Sequence, residues 1–262
     1  MATGISASKY SRVRLNWPWL LVGAAWAVAV AATPTGQRML IDHHFLLEES
    51  GLPWPLAVAV FLIGWQVMIA AMMTPTSIPF AGSALTAASR SNKRPFRALA
   101  AFFAAYAVLW TVFGLLAFAG DTLIHHAVDV WPWLATHSYL IGAATCALAG
   151  LYQYSPWKDH SLARCRVRHL RIPGTTDSPW RLGLRHGVDS LVCCWALMLV
   201  MFGIGVGDLG WMAALALMML SETILPGEVA SRRARQIIGV AMFILAGLWL
   251  AHTVWIAPGG IS

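Results

Sequence analysis

The chain has 262 residues, of which 58% are hydrophobic and only 11% charged, and it carries a formal net charge of +7. An ordinary soluble domain is about 25% charged and about 45–50% apolar, so this composition excludes a typical water-soluble fold and makes lipid the expected solvent. The positive balance follows the connecting segments and reads as a topology signal, so no nucleic-acid partner is expected.

Seven apolar runs, at 17–32, 55–75, 97–119, 133–154, 186–205, 208–225 and 236–256, approach the length of about 20 residues that crosses a hydrocarbon core about 30 Å thick. Backbone facing lipid must satisfy its own hydrogen bonds, and the runs lack the period-2 alternation of a barrel. The expected fold is therefore all-α: a single integral-membrane domain over 1–262, a polytopic bundle of about seven transmembrane helices. Lys and Arg collect on the cytoplasmic side of short loops. Lys9, Arg12 and Arg14 precede the first run, and of the 18 basic residues only Arg38 falls on the opposite side. This pattern predicts a bacterial cytoplasmic (inner) membrane protein with its N-terminus inside and its C-terminus outside. The rival reading of the first run is a cleaved signal peptide, which would leave six helices in the same orientation.

After the first run comes Asp42-His43-His44 on the outer side. The second run carries Trp65, Met68 and Met72-Met73, and Arg90, Lys93, Arg94 and Arg97 return the chain to the cytoplasm. The third run leads to Asp121, His125-His126 and Asp129, and His137 opens the fourth. With His252 near the end of the last run, six of the nine histidines map to the outer side. They read as a metal-capture or pH-responsive surface, or as solvated polar loops. The segment 155–185 is a basic cytoplasmic loop in which Pro156, Pro173 and Pro179 are expected to prevent a continuous helix, and whose arginines meet anionic headgroups.

The fifth run is the most informative. His186, Ser190 and Cys193 fall at i, i+4 and i+7 on one face, and Cys194 and Met198 form a second i, i+4 pair. His186 and Cys193 are about 10 Å apart along the axis, too far to share one ion without a ligand between them. Counted from the cytoplasmic ends, Met68, Cys193, Cys194, Met218 and Met219 lie about 12–15 Å deep, and His186, Met72 and Glu222 about 3–7 Å deep. Thiolate and thioether groups favour Cu(I), so a transition metal, copper ahead of zinc, is the expected ligand. Methionine and free cysteine are also common apolar core fillers, so packing stands beside ligation. All four cysteines fall in predicted helices or a cytoplasmic loop, which argues against structural disulfides.

Several segments carry a family resemblance. Trp65-Gln-Val-Met68-Ile-Ala-Ala-Met72-Met73-Thr-Pro75 resembles the Trp-x-x-Met-x-x-Ala-Met-Met-x-Pro signature of the bacterial domain of unknown function 2182, described as predicted metal-binding integral membrane proteins. Agreement extends to Tyr152-Gln-Tyr-Ser-Pro-Trp-Lys158 with Cys165-Arg166, to His186-Gly187 followed by Cys193-Cys194-Trp195-Ala-Leu-Met198, and to Trp211-Met212 leading to Glu222 and Pro226. The chain departs from the pattern at Ser161 and Ser190, where the family has cysteines. The resemblance implies metal binding.

The leading expectation is an accessory membrane protein that binds copper between the second, fifth and sixth runs through His186, Cys193, Cys194, Met198, Glu222, Met68, Met72 and Met218, with His43, His44, His125 and His126 as secondary outer candidates. Metal handling or metalloenzyme assembly follows, with the bilayer and a metalloprotein or periplasmic metal-delivery protein as partners. No residue is assigned a catalytic role. The alternatives are a metal-ion or proton-coupled transporter using His186, Asp189 and Glu222, and an intramembrane metal-dependent oxidoreductase.

Overall fold

A computed structural model describes residues 4–32, 51–90, 95–167, 178–204, 209–225 and 227–256, with side chains over 17–32, 51–82, 96–165, 178–203, 209–225 and 227–251. Among these residues there are helices and no strands. The order is α1 (Gly4–Ala32), α2 (Trp54–Met72), α3 (Thr74–Arg90), α4 (Pro95–Val130), α5 (Pro132–Thr136), α6 (Tyr139–Tyr152), α7 (Pro156–Val167), α8 (Pro179–Ile204), α9 (Leu209–Ile224) and α10 (Glu228–Ile256). Four segments, Trp54–Met72, Phe96–Val130, Pro179–Gly203 and Glu228–Ala251, are long and apolar enough to cross a membrane. Trp17–Ala32, Tyr139–Tyr152 and Leu209–Ile224 are apolar but shorter.

The boundaries correct the sequence expectations where local chemistry intervenes. The second run ends at Met72 rather than at 75, because Pro75 has no N–H to offer the Ala71 carbonyl. That carbonyl accepts instead from the indole Nε1 of Trp26, at 3.2 Å. The Met73 carbonyl takes the hydroxyls of Thr76 and Ser77 at 2.8 and 3.1 Å, and the chain restarts as α3, a helix the apolar pattern did not announce. α4 runs on to Val130, and its 36 residues span about 54 Å, so Asp121, His125, His126 and Asp129 are helical rather than in a loop. The fourth run divides at His137 and Ser138 into α5 and α6. Within 155–185 the segment expected as a loop carries two helix starts: Pro156 is the first residue of α7 and Pro179 of α8, the position where a missing N–H costs least. Pro173 lies outside the described residues.

The chain forms two compact units. The first draws on 1–111 and 165–188. In it α1 packs on α2 and α3, and α2 is tied to α4 by Trp65 Nε1 donating to the Trp110 carbonyl at 2.7 Å and Gln66 Nε2 to Thr111 Oγ1 at 2.7 Å. The first turns of α8 press on α4 so closely that a Cβ at Gly183 would collide with the Phe102 carbonyl. The second unit draws on 112–164 and 189–262. In it α10 packs along α6 and against α9. The α6–α10 approach depends on Gly150, where a Cβ would lie 3.1 Å from the Gly239 carbonyl.

Gly183→Val is expected to destabilise the detergent-solubilised protein by about 1–3 kcal/mol through overpacking. Gly23→Val, at a position with open space around it, serves as the control and should leave the thermal midpoint unchanged. Equal midpoints for the two variants would contradict the close α4–α8 packing.

Candidate metal centre

The expected ligands divide between the units. Met68, Met72 and His186 belong to the first; Cys193, Cys194, Met198, Met218 and Glu222 belong to the second. Among the described residues, no three His, Cys, Asp or Glu side chains converge as a metal cage.

In the first unit His186 lies in an aromatic slot. Its ring stacks on Phe80 at 4.0 Å between centroids and 22°, with Tyr106 at 5.5 Å and Phe102 at 5.9 Å nearly parallel to it. Nε2 is 3.0 Å from Ser77 Oγ. Ser77 Oγ also donates to the Met73 carbonyl, which leaves its oxygen to accept from His186 Nε2. The nitrogen facing Ser77 is therefore committed to a hydrogen bond. Met68 and Met72 are buried on α2 of the same unit.

The second unit holds a buried polar core. Lys158 on α7 and Glu222 on α9 are both 0% exposed, and the ammonium meets Oε1 at 2.9 Å and Oε2 at 2.8 Å. Burial works against the charged ammonium. The Glu222 carboxylate, the Cys193 and Cys194 thiols and the hydrogen bond to Glu222 together outweigh it, and hold the Lys158 pKa above the ordinary lysine value. Around this pair, Arg235 of α10 is buried against Asp159 and donates to the Gln153 carbonyl at 3.3 Å. Ser231 Oγ donates to the Glu222 carbonyl at 3.1 Å. On α8, Asp189 pairs with Arg164 at 3.1 Å, and its carbonyl accepts from Ser161 at 2.6 Å. Ser161, one of the two serines at which the chain departs from its look-alike family, thus bonds the residue that precedes the other, Ser190.

One turn beyond Asp189 are Cys193 and Cys194, both free thiols and both buried. The two thiols are within hydrogen-bonding reach of each other, and Cys193 lies in the field of Lys158, Glu222 and Arg235. Tyr152 anchors the same turn, donating to the Val192 carbonyl at 2.5 Å. Met198, one turn further along α8, is fully buried; Met218 is half-buried, and its neighbour Met219 is the methionine that α9 turns inward. Two adjacent thiols with a thioether on the next turn form a soft donor set, which suits Cu(I) rather than a hard cation.

The outer candidates are held locally. His125 Nδ1 lies 2.9 Å from the Asp121 carbonyl and 3.2 Å from its Oδ2, within one turn of α4, while His126 is exposed. His137 stacks on Trp133 at 4.6 Å. His43 and His44 lie outside the described residues.

Lys158 and Arg235 are the buried charges that sequence reasoning missed, having counted both as solvated topology charges. The signal that could have found Lys158 is its helical spacing with Ser161 and Leu162, all three buried.

Removing one partner of a buried pair strands the other charge, so Lys158→Met should destabilise the protein by about 3–5 kcal/mol. Lys158→Met with Glu222→Gln, which removes both charges, should recover most of the loss in a thermal-unfolding measurement. Because the folded Lys158 pKa is raised, its stabilisation is fully present below the ordinary lysine pKa and is lost only as pH rises through the folded value. Lys158 should therefore add no pH dependence to the thermal midpoint between about pH 6 and about pH 9.

No curated protein matches the chain, and no solved structure does. Residues 62–250 match the family model PpoB2, described as a copper chaperone. The match shares its metal connection with the resemblance carried by the sequence motifs, under a different family name. Covering well over half of the sequence, it makes this chain a member of the PpoB2 copper chaperone family.

Proposed function

We propose that the protein is a multi-pass carrier of Cu(I) in the bacterial cytoplasmic membrane, holding the ion at Cys193 and Cys194 and passing it to a metalloprotein or a periplasmic delivery partner. The observation that carries this reading is the vicinal thiol pair, buried on α8 beside a fully buried Lys158–Glu222 ion pair. Family membership supplies copper as the metal and delivery as the task. The motifs that resemble the domain of unknown function 2182, at 65–75, 152–166, 186–198 and 211–226, all fall inside the matched 62–250, and we read the two as describing one lineage.

The donors divide by chemistry. Cys193 and Cys194 supply thiolates, and Met198, with Met218 of α9 as a further candidate, supplies thioether sulfur; soft donors favour Cu(I) over Zn(II). Glu222 is engaged at both oxygens by Lys158 and acts through that partner. His186, with Nε2 committed to Ser77, orders the aromatic slot of the first unit. The exposed His126 and its neighbour His125 stand at the outer end of α4 as a capture pair for arriving metal. A single integral-membrane domain with its N-terminus inside and its C-terminus outside places the basic segments in the cytoplasm, as the distribution of Lys and Arg requires.

Purified protein loaded with Cu(I) in detergent should retain copper on desalting, and the Cys193→Ser/Cys194→Ser variant should lose it. Unchanged copper stoichiometry in the variant, measured by elemental analysis, would exclude the thiol pair as the carrier site.

A further inference from the structure

The thiol pair and the buried ion pair are brought together by three contacts inside the second unit. Lys158 and Ser161 are i and i+3 on α7, and Ser161 Oγ bonds the Asp189 carbonyl at 2.6 Å. Asp189 and Cys193 are i and i+4 on α8, so the α7 face that carries Lys158 lies over the α8 face that carries Cys193. Tyr152, preceding α7, fastens the same turn through the Val192 carbonyl at 2.5 Å. Glu222 reaches Lys158 from α9 with both oxygens, which fixes the ammonium in place. The other charged group in the field of Cys193 is Arg235, held by Asp159 and the Gln153 carbonyl.

Copper loading changes the charge of this interior. One Cu(I) and two thiols give a bis-thiolate complex: two S–H bonds break, two Cu–S bonds form, two protons leave to solvent, and no electron is transferred. A neutral thiol pair thereby becomes an anion of charge −1 in a region from which water is excluded. Such a charge is costly unless a fixed cation faces it. We infer that Lys158 is the counter-cation of the metal–thiolate complex, held for that task by Glu222 as a positioning residue, and that it makes the thiol pair selective for soft monovalent ions. This rests on the Cu(I) reading above and deepens it. Ag(I) has the charge and coordination of Cu(I) and forms the same anionic complex. Hg(II) also prefers two thiolates, but its bis-thiolate is neutral and gains nothing from Lys158.

The test uses the full chain in detergent and measures Cu(I) affinity by competition with a chromogenic chelator, with Ag(I) and Hg(II) as parallel probes. The variant of choice is Lys158→Gln/Glu222→Gln, which removes both charges and leaves neither stranded. It should bind Cu(I) and Ag(I) about 10- to 100-fold more weakly, the size of a charge–charge interaction across about 6–12 Å at an effective dielectric near 20, or of a closer one partly offset by Glu222, with Hg(II) binding unchanged. Lys158→Arg, which keeps the charge, should recover most of the Cu(I) affinity. Wild-type Cu(I) affinity in the neutral variant would overturn the inference while leaving the carrier site intact. A parallel loss of Hg(II) binding would also overturn it, because that would mark a purely structural role for Lys158. Cu(I) binding that survives Cys193→Ser/Cys194→Ser would overturn the carrier reading and this inference with it.

Discussion

An ammonium group with no exposed surface has to meet an anion, and the polar core of the second unit is organised by how Lys158 meets Glu222. The pairing demands that α7 be helical from Pro156, so that Lys158 turns inward, and that the last turn of α9 deliver its carboxylate to the same point. Ser231 fastens the Glu222 backbone, while Arg235 and Asp159 join α10 to α7 beside it. A buried ion pair is weak evidence for stability, since its desolvation cost rivals its attraction. A pair placed next to two adjacent thiols has a different use on the proposed reading: it would supply charge where a metal would create it.

That placement suits a carrier, which must release its cargo as well as hold it. In the unloaded protein Lys158 is neutralised by Glu222, so departure of the ion strands no charge. On the proposed reading, the same ammonium faces the anionic copper complex once the protein is loaded. The resting pair is charge-balanced, and the proposal confines the change on loading to the thiol protons and the metal. The copper chaperone family to which the chain belongs sets the same demand at the level of function.

Much of the helical framework was legible because hydrophobic length is a strong signal: each of the seven apolar runs coincides over most of its length with one or two helices. The departures have local causes. Pro75 ended α2 early by denying Ala71 a partner, and the Ser, Thr, Gly and Pro content of 74–90 concealed α3, whose Ser77 then claimed His186. The spacing of His186 with Ser190 and Cys193 did identify a helix face, but periodicity cannot say which neighbouring helix meets each residue of that face. The α7 segment hid for a different reason. It carries Lys158, Asp159, Arg164 and Arg166 in 12 residues, so its polarity reads as a solvated loop. A topology rule that counts basic residues treats each one as exposed, and it could not separate the buried Lys158 and Arg235 from exposed neighbours such as Arg232 and Arg233. Cys193, Cys194 and Met198 were legible as soft donors; their ionic surroundings were not, because those come from α7, α9 and α10.

The most direct test of the central claim is X-ray absorption at the copper edge of the Cu(I)-loaded full chain in detergent. An ion held by the Cys193–Cys194 pair predicts the edge of a low-coordinate Cu(I) centre and a first shell made of sulfur alone. A first shell dominated by nitrogen or oxygen, or a sulfur shell that persists in the Cys193→Ser/Cys194→Ser variant, would contradict it.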